Sequence, residues 1–168
     1  MVELYQRIID IAYKYKASHL GSYFSSVGII DKIFTKKDND DIFIFYLDLD
    51  GMKSINDTLG HEFGDKALID TSNIMHKTFR TTDILSRIGG DEFVVVVVKA
   101  QHEFIPIIIQ RLKEYVAEMN SSNKKYNLSI SIGVSKVDLN NESPLDDAIQ
   151  DADKEMYRVK VKKQKNKK

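Results

Sequence analysis

The sequence predicts an α+β domain, a central sheet covered by helices, and three observations predict it. Ile42 to Leu47 is an almost unbroken apolar run rich in strand-favouring residues, the pattern of a strand with both faces covered. Ile84 to Ile88 and Glu92 to Val98 are further apolar runs that meet at Gly89-Gly90-Asp91, where paired glycines permit the positive backbone angles of a two-residue hairpin. Asp65 to Phe79, Glu103 to Met119 and Pro144 to Val159 carry apolar residues at helical spacing. Strands interleaved with one-sided helices bury one common core, and 168 residues is the length of a single ordinary domain.

The elements follow in order. Leu4, Ile8, Ile11, Ala12 and Tyr15 make Glu3 to Lys16 a short amphipathic helix, about 21 Å long, suited to pairing with a second copy or to packing on its own domain. Residues 1–17 are thereby set apart from a domain over 18–168. Ser18 to Phe34 reads as a turn and a second helix, and the polar stretch Thr35 to Asp41 as a loop. In Asp65 to Phe79 the expected inner face is Leu68, Ile69, Ser72, Met75, His76 and Phe79. Pro106 fits the first turn of the helix Glu103 to Met119, whose apolar positions include Phe104, Ile107, Ile108 and Leu112. Leu128 to Val134 alternates as a strand, and the last helix turns Leu145, Ile149, Ala152, Met156 and Tyr157 inward.

Composition narrows the chemistry. There is no cysteine, which excludes disulfides and thiolate metal sites and leaves carboxylates and histidines as metal ligands. Formal charges balance, yet Arg158, Lys160, Lys162, Lys163, Lys165, Lys167 and Lys168 follow Tyr157 with no acid among them. A solvated, frayed basic tail is the expected reading, with no nucleic-acid partner. No apolar run approaches the roughly 18 residues of a membrane span, and Glu3, Arg7, Asp10 and Lys14 break up any leader-like start, so a cytoplasmic setting is expected. Asp48 and Asp50 end one apolar strand, while Asp91 and Glu92 sit at the hairpin. If the two strands are neighbours these carboxylates converge, and hard oxygen donors of this kind suit Mg²⁺ or Mn²⁺.

Four segments carry a resemblance. LDLDGMKSINDTLGHEFGD, ending at Asp65, resembles the first signature of the GGDEF family, and RIGGDEF (Arg87 to Phe93) contains that family's name motif. LSISIGVS (Leu128 to Ser135) and DADKEMYRVK (Asp151 to Lys160) are similar to its later strand and final helix. The resemblance covers Ser18 to Lys168. It implies a mainly antiparallel five-stranded sheet surrounded by helices, similar to adenylyl cyclase and polymerase palm domains. It also implies a diguanylate cyclase: two GTP molecules condense into cyclic di-GMP across a homodimer, by two-metal catalysis, with release of two pyrophosphates.

Residue by residue, the resemblance makes Asp48 and Asp91 metal ligands with the Leu49 carbonyl, and Glu92 a second acid for metal binding or deprotonation of the ribose 3′ hydroxyl. Asn56 and Asp65 match positions that read guanine, whose N1 and N2 donors suit a carboxylate and which adenine lacks. Gly51, Met52, Lys53 and Lys160 match the phosphate contacts, Gly90 a close approach of phosphate to backbone, and His61 a structural loop residue. Arg80 and Asp83, nine residues before Gly89 at the first of them, match a product-inhibition site.

The pattern departs from the family in three places. The stretch Ser18 to Ser26 lacks the acid, Asn and Arg usual there, Met52 stands for Phe, and Lys160-Val161-Lys162-Lys163-Gln164-Lys165 blurs the closing motif. The alternative function is accordingly a receptor for GTP or cyclic di-GMP without turnover, and a weaker one a cyclase with another nucleotide product. A regulatory protein, or a sensory domain outside this sequence, is the expected source of control.

Overall fold

The computed structural model describes residues 41–122, 125–138, 140–141 and 144–166. The two helices expected before Phe34, and the altered stretch Ser18 to Ser26, lie outside the described residues. The elements run β1 (Asp41–Leu49), α1 (Met52–Leu59), α2 (His61–Thr78), β2 (Ile84–Arg87), β3 (Glu92–Ala100), a 3₁₀ turn (His102–Phe104), α3 (Ile105–Ser121), β4 (Ile130–Lys136) and α4 (Pro144–Lys165). The sheet order is β2-β3-β1-β4, every neighbouring pair antiparallel. The α+β class holds, with four strands among the described residues where the resemblance implied five.

β1 occupies the middle of the sheet and is covered on both faces, as its apolar run predicts. Phe43, Phe45, Leu47 and Leu49 alternate onto the face packed by α2 and α3, with Ala67, Ile74, Met75, Ile108 and Leu112 opposite them. Ile44 and Tyr46 face the other way, toward Leu145, Ala148, Ala152 and Met156 of α4. Each fully buried Phe or Leu side chain contributes about 2 kcal/mol through its removal from water, so this strand is where the core is anchored.

Several expectations need correction. α2 begins at His61, not Asp65, so His61 opens a helix rather than sitting in a loop, and α1 precedes it where no helix was expected. The inner face of α2 is Ala67, Thr71, Ile74, Met75 and Thr78, while Ile69 is exposed. The threonines bury because their hydroxyls donate to carbonyls four residues back, Thr71 to Ala67 and Thr78 to Ile74, each at 2.8 Å. Ile107 and Tyr157, expected to point inward, are exposed. The basic segment after Tyr157 is not a frayed tail: α4 continues to Lys165, with Lys160 and Lys163 bound to acids of β1 and the loop after it.

Candidate active site

The site forms where β1 ends, on the α4 side of the sheet. Asp48 continues the Ile44–Tyr46 side of the strand, directly opposite Glu92 on β3 and Ser131 on β4. The Leu49 amide donates to the Asp91 carbonyl at 2.9 Å, which fastens the strand end to the hairpin. The four acids are thus brought to one corner, as strand adjacency requires.

The hairpin differs from its sequence reading. Gly89 and Gly90 are not among the positive-φ residues, so no primed two-residue turn forms. Residues 88–91 instead make a wider loop, held by the Arg87 guanidinium donating to the Gly89 carbonyl at 3.1 Å and to the Gly90 carbonyl at 2.7 Å. A Cβ on Gly89 would lie 2.6 Å from Glu92 Oε2, so a side chain there would push the tip of Glu92 aside, whereas Gly90 faces open room. The Tyr46 hydroxyl donates to Glu92 Oε1 at 3.2 Å.

Asp48 is buried, and a single ammonium serves both of its oxygens: Lys160 Nζ lies 2.8 Å from Oδ1 and 2.7 Å from Oδ2. Burial raises the Asp48 pKa above the usual carboxylate range; Lys160 opposes this, while Asp91 and Asp50 add to it. Burial alone would lower the Lys160 ammonium, but the hydrogen bond and charge of Asp48 outweigh it and raise its pKa. The pair is lopsided, because the desolvated carboxylate is not fully compensated by Lys160, its cation among the described residues.

Asp50 has the opposite character and is a correction to its grouping with the metal acids. Lys163 donates to Oδ2 at 2.8 Å, Ser129 to Oδ2 at 2.6 Å and Ser131 to Oδ1 at 2.7 Å. Burial pushes its pKa up, but the bonds from Lys163, Ser129 and Ser131 outweigh it and the pKa is lowered. Lys163 also donates to the Ile130 carbonyl at 2.7 Å, so one lysine ties α4 to β4 and to the loop after β1. The contribution of Asp50 to stability is present above its unfolded pKa of about 4 and is lost as pH falls through the lower folded value. Asp50→Asn is expected to cost about 2 kcal/mol, discounted for the partly exposed lysine. Thermal melts at pH 7 should show a Tm lower by about 4–8 °C, and the acid limb of the stability curve should shrink.

The remaining predicted residues lie along the loop after β1 and its two helices. Gly51 has φ +77°, a left-handed conformation that turns the chain straight into α1 with no side chain capping that helix. Met52 is half-buried and Lys53 exposed. Asn56 rests its carboxamide in a notch left by Gly64: a Cβ on Gly64 would lie 2.0 Å from Asn56 Oδ1. That oxygen is buried and has no hydrogen-bond partner among the described residues. Asp65, next to Gly64, is exposed on α2. Arg80 and Asp83 are brought together by a turn in which the Arg80 amide donates to Asp83 Oδ2 at 2.8 Å. Burial raises the Asp83 pKa.

A cavity of about 840 Å³ between α3 and α4 along β4 is lined by none of these predicted residues; its walls mix apolar side chains with Lys113, Ser129, Ser135, Asp151, Glu155 and Lys163. Among the described residues, no three His, Cys, Asp or Glu side chains form a ready-made metal cage. Mg²⁺ does not require one, since it is commonly held by one or two carboxylates together with substrate phosphates. A buried carboxylate already wrapped around a cation fits that need. Sequence reasoning missed Lys163, Ser129, Ser131 and Tyr46; the S-x-S alternation before Gly133 and the three-residue spacing from Lys160 to Lys163 were the signals available.

Comparison with known proteins gives the same direction. The family described as "Diguanylate cyclase, GGDEF domain" matches residues 30–166. Diguanylate cyclase A of Treponema denticola is 34% identical over 119 residues, covering 70% of this chain and 32% of that protein. The chain thus spans about a third of the length of that curated relative. An EAL/GGDEF domain protein from M. capsulatus has a solved structure with TM-score 0.64 and 28% identity, covering 76% of this chain and 83% of that one. The GGDEF domain of DgcB from Caulobacter crescentus, solved in complex with c-di-GMP, has TM-score 0.62 over 73% of each chain; at 22% identity it speaks for the fold. No described helix is long and apolar enough to cross a membrane. With its name motif at the β2–β3 hairpin and the family matched over most of its length, this chain belongs to the GGDEF family.

Proposed function

We propose that the chain is a diguanylate cyclase, joining two GTP molecules into cyclic di-GMP with release of two pyrophosphates. The observation that carries this reading is Asp48: a buried carboxylate, between Glu92 and Ser131 and beside Asp91, whose two oxygens both hold a cation. Asp48, Asp91 and the Leu49 carbonyl are the groups that would hold Mg²⁺ or Mn²⁺. Such ions, when bound, lower the charge on the attacking ribose hydroxyl and on the departing pyrophosphate.

The chain's own residues have the other parts. Glu92, kept in place by Tyr46, accepts the proton of the 3′ hydroxyl. The Asn56 oxygen, unpartnered among the described residues, and the Asp65 carboxylate accept from the guanine N1 and N2 donors. The amides at Gly51 and Met52, with Lys53 and Lys160, bind the phosphates. Each 3′ hydroxyl attacks the α-phosphorus of the other nucleotide, so two P–O bonds form and two break. One GTP per subunit makes a homodimer the catalytic unit, with Arg80 and Asp83 as the place where product binds and inhibits. The setting is the cytoplasm, where GTP is available, and control comes from a partner protein or a further domain.

The test is a product assay with GTP and Mg²⁺ across protein concentration. Cyclic di-GMP should form at a rate rising faster than linearly with protein while dimerisation is incomplete. Asp65→Ala should raise the KM for GTP by about 10–100-fold, the worth of one or two lost hydrogen bonds to a charged acceptor. Saturable GTP binding with no product at high protein concentration would establish the receptor in place of the cyclase. Equal use of ATP would remove the guanine assignment.

A further inference from the structure

We propose that Lys160 is an exchangeable internal cation that makes divalent-metal binding at Asp48 depend on the arrival of a nucleotide triphosphate. This rests on the cyclase reading of the site and goes beyond it, to the order and coupling of ligand binding.

The geometry carries the argument. Lys160 Nζ is nearly equidistant from the two Asp48 oxygens, 2.8 and 2.7 Å, so it fills the cleft of the carboxylate, the side on which an ion bound to both oxygens, or to the inner lone pair of either, would lie. An ion at the roughly 2.0–2.1 Å typical of Mg²⁺–oxygen bonds and this ammonium cannot share that position. An ion bound on that side displaces the ammonium from a carboxylate whose side chain is only 6% exposed.

Lys160 cannot be removed by moving the helix. One turn on, Lys163 is held by Asp50, Ser129 and the Ile130 carbonyl, which fixes α4 against the sheet at this point. The displaced side chain can only swing about its own stem, toward the 28% of its surface that is open. A bare metal ion leaves that ammonium without a counter-charge beside an ion of the same sign. A metal ion bound to a triphosphate brings the anion that the ammonium then pairs with. Metal and nucleotide should accordingly favour each other, and by linkage the effect is the same in both directions.

The experiment measures Mn²⁺ binding by electron paramagnetic resonance of the free ion, with and without a GTP analogue carrying a methylene in place of the α,β-bridging oxygen. The wild-type chain is compared with Lys160→Gln, with Lys160→Met as a second variant that keeps the apolar stem, and with Asp48→Asn. The variants at Lys160 should bind Mn²⁺ alone about tenfold more tightly than wild type, and the ratio of Mn²⁺ affinities with and without the analogue should shrink by a similar factor. Mn²⁺ binding alone that is no tighter in either Lys160 variant overturns the proposal. If Asp48→Asn still binds Mn²⁺ like wild type in the presence of the analogue, the metal is not at Asp48 and the site assignment itself fails. Loss of Mn²⁺ in Asp48→Asn with no gain in the Lys160 variants overturns the coupling and leaves the site standing.

Discussion

Asp48→Asn is expected to lower cyclic di-GMP formation about a thousand-fold or more while leaving the Tm unchanged or slightly higher. The activity loss follows from removing the buried anion on which the proposed metal site is built, since several kcal/mol of charge stabilisation in the transition state go with it. The stability effect has the opposite sign because Asp48 is a raised acid, with burial as the main cause. An acid whose folded pKa lies above its unfolded value favours the folded state most where it is protonated, and that contribution declines as pH rises through the folded value. At neutral pH the folded protein thus carries an anion that Lys160 compensates only in part. Asn is close in shape and carries no charge, and the released ammonium has an open side from which to reach water. Chromatography of the reaction products and a thermal melt of the same sample check both halves. Asp50→Asn is the contrast, because that acid is lowered by its partners and its loss should reduce the Tm. Equal Tm losses in the two variants would give Asp48 a structural role and take away the distinction between the two acids of the LDLD segment.

The sheet and its acidic corner were legible in the sequence because they depend on one strand at a time. An apolar run from Ile42 to Leu47 is the pattern of a central strand, and the acids of the hairpin meet Asp48 because β3 pairs with β1, the one condition the sequence left open. What depended on small or dual-natured residues was not legible. Thr71 and Thr78 look polar in a helical pattern, but their hydroxyls are satisfied within α2, so they lie in the core and displace the expected inner face by about one position. α1 has only one buried residue, Ile55, and starts from a left-handed glycine rather than from a capping side chain, so neither periodicity nor a cap announced it. Gly89 and Gly90 suggested a tight turn, but an arginine clamp on their carbonyls makes a wider one. The fate of Asp50 needed a partner 113 residues away, Lys163, inside a basic stretch whose composition suggested only solvation.

Gly133→Ala is expected to lower stability by about 3 kcal/mol, at the upper end for overpacking a close contact, and so to lower the Tm by about 6–12 °C. Gly133 lies in β4 opposite Tyr46, on the side that faces α4. A Cβ at that position would come 1.9 Å from the Ala152 carbonyl oxygen and 2.3 Å from the Met156 amide nitrogen, both backbone atoms of α4. Side chains can change rotamer to relieve such overlap, but a helix backbone buried at Ala152 and Met156 can only move as a body. Trimming α4 therefore gives no relief, and the double variant Gly133→Ala, Ala152→Gly should be no more stable than Gly133→Ala alone. The displaced segment is the one that delivers Lys160, a single helical turn beyond Met156, and Lys163 after it. Activity measured well below the melting temperature should then fall further than the folded fraction does, because the fold can survive a shift of α4 that the Lys160–Asp48 and Lys163–Asp50 contacts cannot. A melt within 1 °C of wild type, or full activity in the folded fraction, would show that α4 does not set the geometry of the site through this contact.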